Sequence, residues 1–325
     1  MPYIQTVTGP ISPDAVGFCH CHEHLMLSKG VSYTINENLC IDDCQKTLQE
    51  LQDFRIAGGA TIVDAQPGGC NRMGQALVEL SEESGVNIIA ATGFHKMMFY
   101  PKEHWIFSYE EEQLTNIFIH EAEQGMYIDC DSEAPKHWIQ AKAGIIKCAL
   151  DSYAFDTCNP DTQYQKLFTA TCNAAKRSGL PMMVHIEQNS DPLELVRFLI
   201  SQNIDLNRVI FCHMDRACPD LALHKELCRQ GIYMEYDTIG RFKYHDDQKE
   251  AAIFADLIYA GYEDRLLFSL DTTRERLKSY NADGVGLTYI IKSFIPTLKS
   301  VGVTDLQIKK ISDENSARIL SINSL

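Results

Sequence analysis

The apolar and polar residues of this chain alternate in a repeating unit: a short apolar run, a polar loop, and a segment with apolar residues three and four apart. Short apolar runs are typical of strands that are buried on both faces of a parallel sheet. We predict strands at residues 16–22, 61–65, 87–92, 143–149, 181–186, 208–213, 231–236 and 265–270.

The segments between these runs carry the pattern of amphipathic helices. One apolar stripe consists of Met73, Ala76, Leu77 and Leu80. Asp191 followed by Pro192 predicts a capped helix start. A last helix is predicted at residues 313–320, and the interval 93–142 is long enough to predict an insertion.

Eight strands that alternate with helices predict an α/β fold, a (β/α)8 TIM barrel. The length of 325 residues suits one such barrel, so we expect a single domain over residues 1–325. A doubly wound open sheet is the alternative. Its nucleotide-binding versions are disfavoured, because neither G-x-G-x-x-G nor a Walker loop follows the first strand.

Composition and net charge disfavour several classes of protein. The net charge of −15 disfavours binding to nucleic acid or anionic membranes. No apolar run of about 18 residues predicts a membrane span, and no signal peptide is evident. Twelve cysteines without such a signal predict reduced thiols in the cytoplasm. Structural zinc on Cys19 and Cys21, or on Cys40 and Cys44, is disfavoured because the four-ligand pattern is missing.

Three histidines alternate at a spacing of two near the end of the first predicted strand: His20, His22 and His24. Alternate side chains of a strand point to the same side, whereas ligand pairs on a helix are three or four residues apart. Either His22 and His24, or His20 and His22, could therefore bind one metal ion.

Other predicted strands also end in residues that bind metals. These residues are Lys147, His185, His213 and Asp271. A single histidine at a strand end is more often structural. Five strands that end in ligand-type residues instead favour one shared site at the carboxyl end of the barrel, where the active sites of TIM barrels lie. Lys147 would be costly to bury without a partner or a modification.

The sequence resembles the phosphotriesterase branch of the amidohydrolase superfamily over nearly its whole length. The resemblance rests on the pattern His22-x-His24, Lys147, His185, His213 and Asp271. It also includes Gly9-Pro10-Ile11 before the first strand, Ala143-Gly144-Ile145-Ile146-Lys147, and Glu314-Asn315-Ser316-Ala317-Arg318 near the end.

This resemblance implies a centre of two divalent metal ions, zinc with manganese or cobalt as alternatives. His22, His24 and Asp271 would bind the buried ion, and His185 and His213 the exposed one. His20 matches no ligand of the family, so we expect it to have a structural role.

Lys147, carboxylated on its amine, would bridge the two ions, with a hydroxide as the second bridge. Two ions lower the pKa of bound water and polarise the bond under attack. Asp271 would act both as a ligand and as the acceptor of the hydroxide proton. Asp215, two residues after His213, is a candidate to pass that proton outward.

Basic residues follow the seventh and eighth predicted strands, where TIM barrels often bind phosphate. Arg241, Lys243 and Arg274 are therefore candidate phosphate ligands. Lys243 and Arg274 resemble phosphate contacts of sugar-lactonase relatives. Tyr100 or Lys96, in the loop after the third strand, could add to the pocket wall.

We therefore predict a metal-dependent lactonase that acts on a phosphorylated sugar lactone. The alternatives are a phosphotriesterase, a lactonase for acyl-homoserine lactones, and a non-catalytic barrel that binds a metal or a small molecule. The family resemblance also leads us to expect a homodimer.

Overall fold

The computed structural model describes residues 1–152, 154–155 and 161–323. An amino-terminal hairpin precedes the main sheet and pairs β1 (Ile4–Thr6) with β2 (Gly9–Ile11). Eight parallel strands follow in a nearly closed barrel: β3 (Phe18–Glu23), β4 (Gly59–Asp64), β5 (Asn87–Gly93), β6 (Ile145–Leu150), β7 (Met182–Ile186), β8 (Val209–Cys212), β9 (Tyr233–Tyr236) and β10 (Leu266–Phe268).

The strands are neighbours in chain order, and this order confirms the predicted barrel over an open doubly wound sheet. All eight predicted strands are present, although their bounds differ by a few residues. The first begins at Phe18 rather than at residue 16, because Gly17 adopts a left-handed conformation with φ +57°. A Cβ atom at Gly17 would lie 2.8 Å from Cβ of Ala60 on the neighbouring strand.

Side chains link the last strand to the first. The Glu23 carboxylate accepts hydrogen bonds from the backbone nitrogens of Leu270 (2.9 Å) and Thr272 (3.0 Å). The His22 nitrogen donates to Oγ of Ser269 over 2.7 Å. Because β10 has only three residues, these side chains supply hydrogen bonds that a longer backbone ladder would otherwise make.

Helices surround the barrel. They are α1 (Val31–Ile35), α2 (Cys44–Ile56), α3 (Gly74–Ser84), α4 (Trp105–Ser108), α5 (Glu111–Glu123), α6 (Thr162–Ser178), α7 (Pro192–Ser201), α8 (Met214–Ala217), α9 (Leu221–Arg229), α10 (Asp247–Tyr259), α11 (Ile295–Ser300), α12 (Asp305–Lys309) and α13 (Asn315–Leu320). Aspartates cap many of them, and Asp191 caps α7 as predicted. None of the described helices is both long and apolar enough to cross a membrane.

The predicted insertion contains α4 and α5. Helix α5 buries Leu114 and Phe118 against the barrel, and it also buries Glu121. The Glu121 carboxylate pairs with the guanidinium of Arg72 at 2.6 Å. A buried charge is tolerated here because its partner and Thr92 satisfy its oxygens. The predicted last helix is shorter than expected, since α13 begins at Asn315 after a π-helical stretch.

Candidate functional site

A cavity of about 260 Å³ opens at the carboxyl end of the barrel strands. The polar ends of β3, β7, β8 and β10 reach it, as expected of a parallel barrel. Five of the six predicted ligands line it: His22, His24, His185, His213 and Asp271. The sixth, Lys147, lies below them with a fully buried side chain, and its Nζ is 3.3 Å from Nε2 of His22.

Asp271 lies between the first and last strands of the barrel. Its Oδ1 is 3.6 Å from Nε2 of His22 and 3.5 Å from Nε2 of His24. The backbone at Asp271 has φ +48°, a conformation uncommon for a residue with a side chain, and its nitrogen donates to the His22 carbonyl. The loop after β10 thus holds this carboxylate beside both histidines.

His185 and His213 form the other side of the site. Nδ1 of His185 lies 2.7 Å from Nε2 of His213. The second ring nitrogen of His213 is 2.7 Å from an oxygen of Asp237, and Nε2 of His185 is 3.3 Å from Glu187. A carboxylate on the second nitrogen fixes the orientation of an imidazole, as it does around many metal sites.

Burial and neighbouring charges together determine the protonation states of His185, His213 and Asp271. It lowers the pKa of His185 to about 4 and lowers the pKa of His213 well below the ordinary value. Burial alone would raise the pKa of Asp271, but the charge of Arg241 and the contact with His24 lower it well below its usual range. Neutral His185 and His213 and an ionised Asp271 are the protonation states in which these three side chains bind metal.

The residues fit a divalent metal ion. Ligand atoms of His22, His24 and Asp271 all lie within 4.8 Å of one another, and so do those of His213, Asp237 and Asp271. In the described part of the chain, Nδ1 of His24 is buried without a hydrogen-bond partner, whereas Nδ1 of His22 lies 3.2 Å from Oδ2 of Asp237. Imidazole and carboxylate donors suit zinc, manganese or cobalt.

Asp215 does not line the cavity, and it is buried behind the cavity wall. Its Oδ2 accepts hydrogen bonds from both the nitrogen and Oγ1 of Thr238, each over 2.6 Å. His245 and Glu250 complete a buried cluster around it. Asp215 therefore holds the loop that follows β9.

The predicted substrate residues fall into two groups. Arg241 and Lys243 line the cavity, and Nη1 of Arg241 is 3.2 Å from Oδ2 of Asp271. Arg274 instead lies in a separate depression, where it pairs with Asp42 at 3.0 Å. The fourth predicted residue, Tyr100, is buried outside the cavity lining.

Tyr100 supports the site indirectly. Its hydroxyl accepts a hydrogen bond of 2.9 Å from the nitrogen of His95, a residue that does line the cavity. Lys96 also lines the cavity and forms an ion pair with Glu187. The structure thus places Tyr100 behind the loop after β5 and Lys96 at its surface.

Three further residues at the site, Glu187, Asp237 and Arg216, were not predicted from the sequence. For each of them, the spacing from a predicted ligand or strand was a weak indication of a place at the site. Glu187 follows His185 by two residues along an extended chain, Asp237 is the residue directly after β9, and Arg216 follows His213 by one helical turn. Without the barrel register, these spacings are too common to indicate a site.

Similar proteins were found by sequence and by structure. The phosphotriesterase family matches residues 2–320. N-acetyltaurine hydrolase from Danio rerio is 30% identical, over 98% of this chain and 97% of that protein. Phospho-furanose lactonase from Mycoplasmopsis agalactiae is 26% identical, over 99% of this chain and 92% of that protein. A lactonase from Listeria monocytogenes superposes with a TM-score of 0.88 at 26% identity, over 99% of this chain and 100% of that chain.

The family match spans the whole barrel. It includes every strand and every strand-end side chain from His22 to Asp271. Two of the relatives named above are lactonases and the third is an N-acetyltaurine hydrolase, so all three are hydrolases. This chain belongs to the phosphotriesterase family and is a hydrolase.

Proposed function

We propose that this protein is a lactonase that opens a phosphorylated sugar lactone at a centre of two divalent metal ions. The observation that carries the proposal is the convergence of ligand-type side chains from the ends of four barrel strands on one cavity, with Lys147 of a fifth strand below them. The similarity to a phospho-furanose lactonase supports the choice of substrate.

The proposed ligands divide into two sets. His22, His24 and Asp271 would hold one ion, and His185 and His213 the other. Such ions, when bound, lower the pKa of water and polarise a carbonyl group. The described residues place no carboxylate in an ion pair with the fully buried Lys147. We propose that its amine reacts with carbon dioxide and releases a proton, which gives an anionic carbamate able to bridge two cations.

The proposed reaction consumes one water molecule. A new bond forms between the water oxygen and the carbonyl carbon, and the bond from that carbon to the ring oxygen breaks. Asp271 accepts the proton of the water and returns it to the departing ring oxygen, so the product is a hydroxy acid. Arg241 keeps Asp271 ionised, and Asp215 holds the loop after β9.

A second candidate is hydrolysis of an N-acylated amino sulfonate. Its support is the similarity to N-acetyltaurine hydrolase along nearly the whole chain. The same groups would serve, because an amide and a lactone both offer a carbonyl carbon to water. Phosphotriesters and acyl-homoserine lactones remain alternative substrate classes.

We further propose that the protein is a cytoplasmic homodimer that acts on small molecules.

The test is a substrate panel assayed with protein loaded with zinc, manganese or cobalt in the presence of bicarbonate. The panel contains a phosphorylated furanose lactone, its unphosphorylated form, an acyl-homoserine lactone, a phosphotriester and N-acetyltaurine. We expect the highest kcat/KM on the phosphorylated lactone. A higher value on N-acetyltaurine would select the second candidate. A metal-loaded protein inert on the whole panel would refute catalysis on these substrates and favour a binding role.

A further inference from the structure

A second group of ligand-type side chains lies behind the cavity wall, outside the candidate site. It consists of Asp215, His245 and Glu250, whose ligand atoms all lie within 4.8 Å of one another. Asp215 is in α8, His245 is in the loop after β9, and Glu250 is in α10. None of the three lines the cavity. These three residues form the wall cluster.

The wall cluster holds more negative charge than its neighbours balance. The side chains of Asp215 and Glu250 are both fully buried. In the described part of the chain, His245 is the one basic residue within ion-pair distance of either carboxylate. Its Nε2 lies 3.8 Å from Oδ2 of Asp215 and 3.1 Å from Oε2 of Glu250. A protonated imidazole carries one positive charge, so one of the two buried carboxylates is left without a counter-charge.

Two oxygen atoms of the wall cluster also lack hydrogen bonds. Among the described residues, Oδ1 of Asp215 and Oε1 of Glu250 are buried and have no hydrogen-bond partner. Burial and the charges of three neighbouring aspartates raise the pKa of Glu250 well above its ordinary value. Buried carboxylate oxygens without donors are costly, and a cation held between the two carboxylates would remove that cost.

The spacing of the ligand atoms fits zinc. Zinc binds imidazole and carboxylate groups at about 2.0–2.2 Å in a tetrahedral arrangement, so neighbouring ligand atoms lie about 3.3 Å apart. The two distances from Nε2 of His245, 3.1 Å and 3.8 Å, lie on either side of this value. One histidine and two carboxylates supply three ligands, and a water molecule takes the fourth position.

We propose that Asp215, His245 and Glu250 bind a zinc ion at a site separate from the candidate catalytic centre. The side chain of His245 is 11% exposed, so the ion can enter from the surface without opening the barrel. A divalent ion bound to neutral His245 balances both carboxylates. The inference does not rest on the proposed function, because none of the three residues belongs to the ligand sets proposed for the catalytic ions.

This zinc ion would have a structural role. Helix α8 and the loop after β9 both line the cavity, and α10 begins directly after that loop. Asp215 already holds the start of the loop through its two hydrogen bonds with Thr238. The ion would add the end of the loop, at His245. With one histidine and no bridging carbamate, the wall cluster should bind zinc more weakly than a binuclear centre and fill only when zinc is in excess.

The test counts zinc ions in the wild type, Glu250→Gln and His245→Asn. Each protein is dialysed against the same buffered excess of zinc with bicarbonate, and its metal content is measured. We expect about one ion more per chain in the wild type than in either variant. His137→Asn removes an exposed histidine paired with Asp129, so it is the matched control for surface binding and should keep the wild-type count.

Equal counts in the wild type and both cluster variants, or an equal loss in His137→Asn, would overturn the inference. The comparison depends on the difference between proteins and not on the total. It therefore remains decisive whether the catalytic centre holds two ions, one or none. An inert protein that loses one ion in both cluster variants would refute the proposed function and support the wall-cluster site.

Stability separates an ion-binding role of Glu250 from a purely structural one. In metal-free protein, Glu250→Gln should be at least as stable as the wild type, because it removes a buried charge without a counter-charge. Excess zinc should then raise the Tm of the wild type more than that of the variant. A variant that is less stable without metal and gains as much from zinc would overturn the inference.

Hydrogen exchange of the wild type provides a test if the variants do not fold. Exchange of the backbone amides at residues 237–250 is compared between protein with about two zinc ions per chain and protein in excess zinc. Slower exchange in this segment, with unchanged exchange in α5 on the other side of the barrel sequence, would support the site. Unchanged exchange at residues 237–250 would overturn it.

Discussion

At the scale of single residues, the site depends on a few side chains held in uncommon backbone conformations. His213 and Asp271 both have positive φ, at 63° and 48°. Such conformations cost free energy for residues other than glycine, and they persist where the surrounding structure holds them. Here the hydrogen bonds from His213 N to Asp237 and from Asp271 N to the His22 carbonyl do so. The strand ends thus turn two ligand-type side chains into the cavity.

Asp271→Asn tests the proposed role of Asp271 in proton transfer. The amide keeps the size and one oxygen ligand of the carboxylate but cannot accept the proton. We expect most of the metal to remain and kcat to fall by about 10²–10⁴. Metal analysis and steady-state kinetics measure the two quantities separately. Near-normal turnover by a metal-replete variant would assign proton transfer to another group.

Lys147→Ala tests the proposed carbamate. Removal of the bridging group should abolish activity and reduce the metal content, and added short carboxylic acids should restore part of both. A carbamate should also appear in carbon NMR spectra of the wild type prepared with labelled bicarbonate, and this signal should be absent from the variant. A wild-type enzyme that is fully active after removal of carbon dioxide and without the carbamate signal would contradict the proposal.

At the scale of elements, the junction between β3 and β10 depends on side chains. Glu23 contributes two acceptors to backbone nitrogens beyond β10, and it also contacts Nδ1 of His20 at 2.8 Å. His20 therefore has a structural position, as its mismatch to the ligand pattern predicted. The buried Glu23 carboxylate has hydrogen-bond partners on both of its oxygens. These contacts hold the short strand β10 against the barrel and keep Asp271 beside His22.

Glu23→Gln should loosen this junction. The amide replaces one acceptor by a donor, which then faces a backbone N–H group. We expect a loss of about 1–3 kcal/mol in the free energy of unfolding, measured by chemical denaturation of the metal-free protein. Glu226→Gln, on the exposed surface of α9, is the control and should change stability little. Equal stability of the two variants would show that the junction does not need the carboxylate.

The start of α4 predicts a dependence of stability on pH. Nδ1 of His104 accepts the capping hydrogen bond from Ile106, and its Nε2 contacts the Cys130 carbonyl. Burial lowers the pKa of His104 from 6.5 to about 4. Below pH 6.5 the unfolded chain therefore binds a proton that the folded chain does not, so this contribution to stability is present above pH 6.5 and is lost as pH falls towards 4.

His104→Asn should remove this contribution to the pH dependence, because asparagine can cap the helix without titrating. Allowing for solvent screening, we expect the wild type to lose about 2 kcal/mol more than the variant between neutral pH and pH 4. Denaturation curves over this range measure the difference. His137→Asn removes an exposed histidine paired with Asp129 and is the matched control. Parallel pH profiles for wild type and His104→Asn would contradict the expectation.

At the scale of the whole molecule, metal binding and folding should be linked. The proposed ligands come from five strands between β3 and the residues after β10, so only the closed barrel brings them together. Ions bound to the folded state alone stabilise it by about 2.7 kcal/mol for each site at a hundred times its dissociation constant. We expect about two ions per chain and a lower Tm after chelation, measured by metal analysis and calorimetry. One ion per chain after reconstitution with bicarbonate would contradict the binuclear proposal.

The sequence by itself determined the architecture and the direction of the strand-end side chains. Short apolar runs are typical of strands buried on both faces of a parallel sheet, and the two-residue spacing of His22 and His24 follows from strand geometry. The apolar runs and the histidine spacing are both local properties of the sequence. They depend on neighbouring residues of one strand and not on where that strand lies in the fold. For the same reason, the loop after β9 could be predicted to carry cations into the site.

Only the tertiary structure decided which charges are already paired. Arg274 and Arg216 are alike in the sequence as basic residues after barrel strands, yet Arg274 pairs with Asp42 and Arg216 lines the cavity without a carboxylate partner among the described residues. Asp42 lies 232 residues from Arg274 along the chain. No spacing rule predicts that contact, because electrostatic pairing depends on distances between loops, and closure of the barrel sets those distances.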